Sequence, residues 1–365
     1  MATWSIFGSG DSMQLIEKIL TTEQSSLRAV MACIDRGAKG IALVVDEQRR
    51  LTATLTDGDL RRAVLSGLSL DVPVATLLHS QNKSAPVTLP HGSTRESIIT
   101  EMKKRSVRQI PLVDEESRVI DLAVLDELVG ELHAPVHAIV MAGGYGKRLM
   151  PLTADTPKPM LRVGNQPLIE RLVEQLKNAG IARVNISTHY KAEQISTHFG
   201  NGEGFGVQVE YLSEQRPLGT AGALSLVSGE DPLLVINGDI LTNLDFRAMF
   251  NFHFEHDAEM TVAVREYGFD VPYGVVDTDG LQVVAVKEKP TVKFFVNAGI
   301  YLVSPSARRF IPSDQSFDMP QLIDTLVKAK RTVISFPVWE YWLDIGRRED
   351  YERAQHDVLS LGGGK

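Results

Sequence analysis

The chain has 365 residues, of which 43% are hydrophobic and 23% charged, and it carries a formal net charge of −8 at pH 7. That length predicts two or three domains with an ample core, while the acidic balance excludes a general basic surface for nucleic acid. No run of about 18 uninterrupted apolar residues occurs, and the opening MATWSIFGSGDSM lacks a basic region followed by an apolar one; the sequence predicts no membrane span, no secretion signal and a cytoplasmic location.

Residues 1–12 are small and polar and read as a loosely held lead. The single cysteine, Cys33, rules out an internal disulfide, and its apolar helical neighbours Leu27, Val30, Met31 and Ile34 predict a packed thiol rather than a nucleophile. From 13 to 132 the chain repeats itself: IALVVDEQRRL from Ile41 aligns with QIPLVDEESRV from Gln109, an offset of 68 residues. Each copy predicts an amphipathic helix (26–36 and 94–105), a strand, an acidic turn, a second strand and a short helix. One such unit exposes an apolar face, so the two copies are expected to stack. The last helix of the first copy opens with Thr56-Asp57-Gly58-Asp59, where Thr56 can cap and Asp59 can stabilise the first turn without any ligand. The second copy has Val124 and Glu127 at the corresponding positions.

The polar, proline-containing stretch 131–135 marks a domain boundary, followed by a domain spanning 136–360 and a glycine-rich tail, 361–365, expected to be mobile. Strands are predicted at 138–141, 184–188, 207–212 and 233–237, with a helix at 167–179 carrying Leu168, Leu172 and Leu176 on one face. This alternation predicts a parallel α/β sheet with ligand loops at the carboxyl ends of its strands. After residue 259 the pattern turns strand-rich (260–264, 274–277, 283–286, 294–303), which predicts a second subdomain. Helices at 319–329 and 348–359 close the chain.

The first strand of the second domain runs into Gly143-Gly144-Tyr145-Gly146. Three glycines permit positive φ and close approach of backbone N–H groups to an anion. From Gly143 to Arg162 the chain carries Lys147, Arg148, Lys158 and Arg162 against a lone Asp155, a local excess of positive charge in an acidic protein. A glycine turn beside solvated lysines would look similar, but the preceding strand and the cations at both ends of the arm favour a phosphate site. A Walker loop is excluded because Lys147-Arg148 follows Gly146, and a dinucleotide fingerprint because Leu149 stands where its third glycine belongs. Pro151, Pro157 and Pro159 forbid a continuous helix, so an irregular arm is expected to deliver Lys158 from the far side of the loop.

Further along, Glu214 to Gly222 follows a strand and leads into a helix whose N-terminus would favour an anion or a polar edge, with Thr220 equally able to serve as a cap. Strand 233–237 ends in Gly238-Asp239, which aims a carboxylate at the crevice, and Asp344 in WLDIG is its candidate partner. Glu288-Lys289-Pro290 and Asn297-Ala298-Gly299 lie at or after strands; Glu288 can accept hydrogen bonds, Lys289 offers charge and Asn297 both donates and accepts. His253 and His256 read as core and surface residues, since no third metal ligand accompanies them. With no Gly-x-Ser-x-Gly elbow and no cysteine–histidine arrangement, nothing in the sequence supports covalent catalysis.

The run from Gly143 through Arg148 to Pro151, together with Pro157-Lys158-Pro159-Met160, resembles the signature of the sugar-1-phosphate nucleotidylyltransferases, the NDP-sugar pyrophosphorylases. PLGTAGAL from Pro217 is most similar to the version in mannose-1-phosphate guanylyltransferases. Residues 13–132 resemble a tandem pair of cystathionine-β-synthase (CBS) domains. The fusion resembles bacterial enzymes that make GDP-sugars for surface glycans, including mannose-1-phosphate and glucosamine-1-phosphate guanylyltransferases. The resemblance implies an α/β fold with a Rossmann-like mixed sheet of the glycosyltransferase-A type, preceded by a regulatory α+β CBS pair. It implies a Mg²⁺-dependent transferase that joins an NTP, GTP in the first instance, to a sugar 1-phosphate, giving a GDP-sugar and pyrophosphate.

By the same resemblance Arg148 would hold the departing pyrophosphate, Lys158 would bridge the α-phosphate and the sugar phosphate, and Asp239 and Asp344 would hold the metal. Ala142, Gly143, Gly144, Gly146, Gln215, Gly219 and Thr220 would bind the nucleotide, and Glu288, Lys289 and Asn297 the sugar phosphate. Thr56 and Asp59 match the ribose pattern of CBS domains, which implies an adenine nucleotide at one regulatory site. CBS pairs associate, so a homo-oligomer is expected. A uridylyl- or thymidylyltransferase would use the same catalytic set. A silent nucleotide sensor is disfavoured because Arg148, Lys158, Asp239 and Asp344 are all present.

Overall fold

The computed structural model describes residues 9–81, 85–129, 136–214, 216, 218–313 and 315–361. The first eight residues of the lead, the boundary stretch 131–135, Gln215 and residues 362–365 of the tail lie outside that set. The chain divides into two units, Met1–Leu132 and His133–Lys365. Among the described residues no helix is long and apolar enough to cross a membrane.

In the first unit the repeat is carried residue by residue. Helices Leu27–Gly37 and Arg95–Arg105 correspond, as do strands Ile41–Val45 and Gln109–Val113, and Leu51–Thr56 and Val119–Val124. Each copy forms a three-stranded sheet, a short parallel edge strand beside an antiparallel pair. Local devices recur with the elements. Ser26 and Thr94 cap the two helices from their N-termini, and Ala38 and Ser106 end them in the left-handed conformation. Asp46 and Asp114 each close a hairpin turn by accepting two backbone N–H groups. The copies touch where the Leu51 N–H donates to Ser117 O (2.9 Å) and where Lys39 pairs with Glu127. Cys33 is buried, its thiol donates to the Lys18 carbonyl (3.1 Å), and burial pushes its pKa up.

The second unit is built on a seven-stranded sheet in the order Gln208–Ser213, Arg183–Thr188, His137–Met141, Leu233–Asn237, Thr291–Val303, Met260–Asp270, Val333–Val338. The first four are parallel, as their alternation with helices predicts. Thr291–Val303 runs antiparallel to both of its neighbours, so the sheet is mixed. The expectation of a second subdomain after residue 259 needs correcting in one respect. Met260–Asp270 and Thr291–Val303 are 11 and 13 residues long; one end of each is buried in the central sheet and the other continues as an exposed ribbon. The hairpin of Val275–Asp279 with Gln282–Lys287 stands as a separate two-stranded sheet.

Both faces of the central strands are covered, which is why they read as near-continuous apolar runs. Helix Leu168–Asn178 buries Leu168, Ile169, Leu172, Val173 and Leu176, spaced to form a single stripe. It shares one face with Ala192–Phe199 and Phe246–Glu255, while Met319–Lys328 covers the other with Met319, Leu322 and Leu326. The chain leaves His137–Met141 for Arg183–Thr188 on one side and returns to Leu233–Asn237 on the other. The switch point therefore lies beyond Met141, where the glycine loop begins.

His253 is a core residue, 1% exposed; Nδ1 lies 2.8 Å from Thr261 Oγ1 and Nε2 2.9 Å from Ser304 Oγ. Burial lowers its pKa from 6.5 to about 4, against the opposing charge of Asp257. Below pH 6.5 the unfolded chain takes up a proton that the folded one refuses, so this contribution to stability is full above 6.5 and is lost as pH falls through 4. Urea unfolding at pH 7.5 and at pH 5 should show the wild type losing about 2 kcal/mol more than His253→Gln across that interval. Equal losses in the two proteins would show that the histidine does not stay neutral.

Candidate active site

The loop after Met141 is shaped from both sides. The Ala142 N–H donates to Ser187 O (2.9 Å), and its side chain is buried, so this residue anchors the loop to the neighbouring strand and has no free N–H for a ligand. Of the three glycines only Gly146 has a positive φ, 63°, which narrows the expectation for the trio. A Cβ at Gly146 would lie 2.8 Å from Thr153 Cγ2 and 3.2 Å from Lys158 Cβ, and the Thr153 hydroxyl donates to Gly146 O (2.9 Å). The arm thus doubles back over its own glycine. At Gly144 a Cβ would meet open space; at Gly143 it would lie 3.4 Å from His189 Cβ and 3.8 Å from Glu214 Oε1.

Residues just past the next strand pin the arm. The Tyr190 hydroxyl lies 3.3 Å from the carbonyls of both Thr153 and Ala154, Lys191 Nζ donates to Ala154 O (2.6 Å), and Gln194 Nε2 donates to Asp155 O (2.8 Å). The arm is therefore already folded, and its end carries Lys158 inward to 8% exposure.

There Lys158 Nζ meets Asp239 Oδ2 at 2.5 Å. The Gly238 N–H donates to Met141 O (2.9 Å), and a Cβ at Gly238 would sit 2.7 Å from that oxygen, so only glycine lets the two strand ends close together. Ile240–Thr242 then pairs antiparallel with Trp342–Asp344, Ile240 opposite Asp344, and the Ile345 N–H donates to Asp239 O (3.0 Å). This small ladder sets the two aspartates side by side. Arg148 Nη1 and Asp344 Oδ1 each lie 3.6 Å from where a Cβ of Gly346 would be. Asp344 keeps an exposed edge, yet burial of the rest pushes its pKa up, and Asp239 adds to the rise while Lys158 and Arg148 oppose it. Arg148, Lys158, Asp239 and Asp344 thus act on one another.

Two adjacent carboxylates, one raised by the other, are a donor set that a hard divalent cation would relieve. Among the described residues no group of three or more histidine, cysteine, aspartate or glutamate side chains could hold a metal, so the remaining ligands would have to be substrate oxygens and water.

Asn297-Ala298-Gly299 falls on a β-bulge: Val262 pairs with Tyr301 and Val264 with Asn297. Asn297 Oδ1 accepts the Gly299 N–H (2.9 Å), and the Trp342 indole donates to Ala298 O (2.8 Å). Gly299 has φ 72°, and a Cβ there would lie 2.6 Å from Asn237 Nδ2. The bulge therefore abuts the strand that leads into Asp239. Glu288 and Lys289 stand in the exposed bend between Gln282–Lys287 and Thr291–Val303, Lys289 with φ 42°, and among the described residues no hydrogen bond or ion pair joins them to the aspartates.

On the other flank the helix expected after Glu214 is the four-residue Gly219–Gly222, too short for a dipole argument to apply. Thr220 does cap, but not its own helix. Its N–H and hydroxyl both donate to Asp318 Oδ1 (2.9 and 3.2 Å), and its oxygen accepts the Met319 N–H (2.9 Å) at the start of Met319–Lys328. Glu214, which opens that stretch, accepts from the Ser187 hydroxyl and from the Leu218 N–H (2.8 Å); two side chains escaped the sequence reading, His189, whose Nε2 lies 3.0 Å from the Tyr145 hydroxyl, and Tyr190. Both lie one or two residues past the carboxyl end of the parallel strand Arg183–Thr188, the signal that would have flagged them.

In the first unit Thr56 and Asp59 form a capping box. The Thr56 N–H and hydroxyl lie 2.8 and 2.9 Å from Asp59 Oδ2, and Arg62 Nη2 donates to Asp59 Oδ1 (2.7 Å). The ligand-independent reading of this pair accounts for its geometry.

A parallel-rich mixed sheet, a glycine loop at its switch point and opposed cations and carboxylates at its strand ends define an α/β nucleotidyltransferase fold. Residues 137–360 match the nucleotidyl transferase family, and the chain belongs to it. It is 33% identical over 234 residues to a mannose-1-phosphate guanylyltransferase of Mycobacterium tuberculosis, a match covering 61% of this chain and 65% of that protein, short of two thirds of its length. A D-glycero-α-D-manno-heptose 1-phosphate guanylyltransferase of Aneurinibacillus thermoaerophilus is 34% identical over 229 residues, covering 61% of this chain and 98% of that one. A Bacillus anthracis crystal structure with sucrose, named provisionally as a glucose-1-phosphate thymidylyltransferase, aligns with TM-score 0.51 and 26% identity over 63% of this chain and 98% of that one.

The bulge yields a stability test. Gly299→Ala should cost about 1–3 kcal/mol in urea unfolding, from the left-handed backbone and the clash with Asn237. Combined with Asn237→Ala it should cost measurably less than the sum of the two single changes. Strict additivity would mean that the two residues do not press on each other.

Proposed function

We propose that the second unit is a sugar-1-phosphate guanylyltransferase, joining GTP and a hexose or heptose 1-phosphate to give a GDP-sugar and pyrophosphate. The observation that carries the reading is the convergence of Lys158 and Arg148 with Asp239 and Asp344 behind a glycine loop. The two guanylyltransferase relatives support the base and the class of sugar phosphate.

The attacking sugar phosphate is already anionic, so the protein has no nucleophile to generate and its work is positioning and neutralisation. In this reading the backbone around Gly143, Gly144 and Gly146 lies against the nucleotide phosphates, and Gly219 and Thr220 belong to the loop beside the base. Arg148 neutralises the pyrophosphate as it leaves in line. Lys158, held by the arm and by Asp239, stands between the α-phosphate and the incoming phosphate, where two anions must approach. Asn297, with Glu288 and Lys289 in the bend before its strand, forms the sugar side. Asp239 and Asp344 would hold Mg²⁺, which when bound adds positive charge beside the phosphates. The first unit is read as a regulatory CBS pair, supported by two copies that match down to their caps and turns.

The test is pyrophosphate release with Mg²⁺, crossing GTP, ATP, CTP, UTP and dTTP against mannose, glucose, glucosamine and heptose 1-phosphates. Release with GTP and one sugar phosphate is expected; release with UTP or dTTP instead would keep the chemistry and change the base. Lys158→Ala and Asp239→Ala should each lower kcat by about a hundredfold or more while keeping a cooperative unfolding transition. Near-normal turnover in either would sink the assignment.

A further inference from the structure

We infer that Asp318 is a positioning residue for the nucleotide, acting through the loop 218–222, an inference that rests on the functional reading above. Asp318 lies almost a hundred residues beyond that loop, and among the described residues no hydrogen bond or ion pair joins it to the charged cluster, yet the loop is built against it. Asp318 Oδ1 accepts from the Thr220 N–H and hydroxyl (2.9 and 3.2 Å). The residue before it completes a backbone clamp: Phe317 O accepts the N–H groups of Ala221 (2.9 Å) and Gly222 (2.8 Å), and the Phe317 N–H donates to Leu218 O (2.8 Å). Gly219, with φ 78°, fits because a Cβ there would lie 2.6 Å from Asp318 Oδ1 and 2.7 Å from Phe317 O.

The other end of the loop is held by Glu214, which accepts the Leu218 N–H (2.8 Å). Loop 218–222 is thus fixed at its start by the Glu214 carboxylate, in its middle by that of Asp318 and at its far end by the Phe317 carbonyl, an arrangement that orders a connection before a ligand arrives. The accepting oxygen of Asp318 is what the latch uses, and nothing in the contact requires its charge. The same residue caps Met319–Lys328 through a capping box with Gln321, whose Oε1 accepts the Asp318 N–H (2.7 Å). A latch and a cap make different predictions.

Asp318→Ala should raise the KM for GTP about tenfold, with kcat and the KM for the sugar phosphate changed less than about threefold. Asp318→Asn, which keeps an accepting Oδ1, should restore the KM for GTP, and Gly219→Ala should reproduce the alanine phenotype by pushing the loop away. Gln321→Ala, which weakens the cap alone, should lower the melting temperature without moving either KM. Nucleotide dissociation constants of the wild type and each variant, taken by calorimetry, separate the two readings. A wild type that binds no NTP overturns both. A wild type that binds GTP, with Asp318→Ala binding it equally tightly or Gln321→Ala weakening it as much, overturns the latch alone.

Discussion

The Lys158–Asp239 ion pair joins two parts of the chain that local structure alone would leave apart. Asp239 is placed by the sheet, because the end of Leu233–Asn237 closes on Met141 through Gly238. Lys158 is placed by an arm with no long helix or strand, and such a segment is ordered only if its own backbone groups find partners. Thr153, Tyr190, Lys191 and Gln194 supply or engage those partners, and Gly146 leaves room for the return. Remove either partner, and a buried lysine or a crowded carboxylate is left without its counter-charge, which costs more than the pair contributes when intact.

That dependence bears on how the site meets anions. In an acidic protein a cluster of cations aimed at solvent would be screened and mobile; here Lys158 is held against Asp239, and the charge of Arg148 acts on Asp344. Asp344 carries the strain of this arrangement, its pKa pushed up by burial and by Asp239. On the proposed function, phosphates and a divalent ion would redistribute these pairings rather than create them, which would keep the reorganisation at the moment of reaction small.

Much of this was legible in the sequence, and what was hidden shares a physical cause. Strand and helix positions follow from periodicity and turn residues, and the repeat of the first unit shows in Asp46 and Asp114 before any coordinates. The placement of Asp239 and Asp344 at strand ends was legible, and so was an irregular arm that carries Lys158 inward. The antiparallel insertion of Thr291–Val303, the bulge at Asn297-Ala298-Gly299 and the ladder joining Ile240 to Asp344 are pairings between distant segments, and no local pattern encodes their register. Thr220 shows the same limit: it reads as a cap, but the helix it caps begins at Met319.

The first unit makes the complementary case, in which a capping box by itself accounts for the geometry of a motif. Thr56 and Asp59 satisfy each other, Arg62 adds its guanidinium, and Asp59 is 5% exposed. A ligand reaching this pair would have to offer hydrogen bonds at least as good as those it displaces, since breaking a capping box leaves helix N–H groups unpaired. In the second copy Val124 and Glu127 have no such box to break, and Glu127 instead pairs with Lys39 of the first copy. The asymmetry between the copies therefore lies in where each spends its polar groups: the first closes its own helix, and the second helps hold the two copies together.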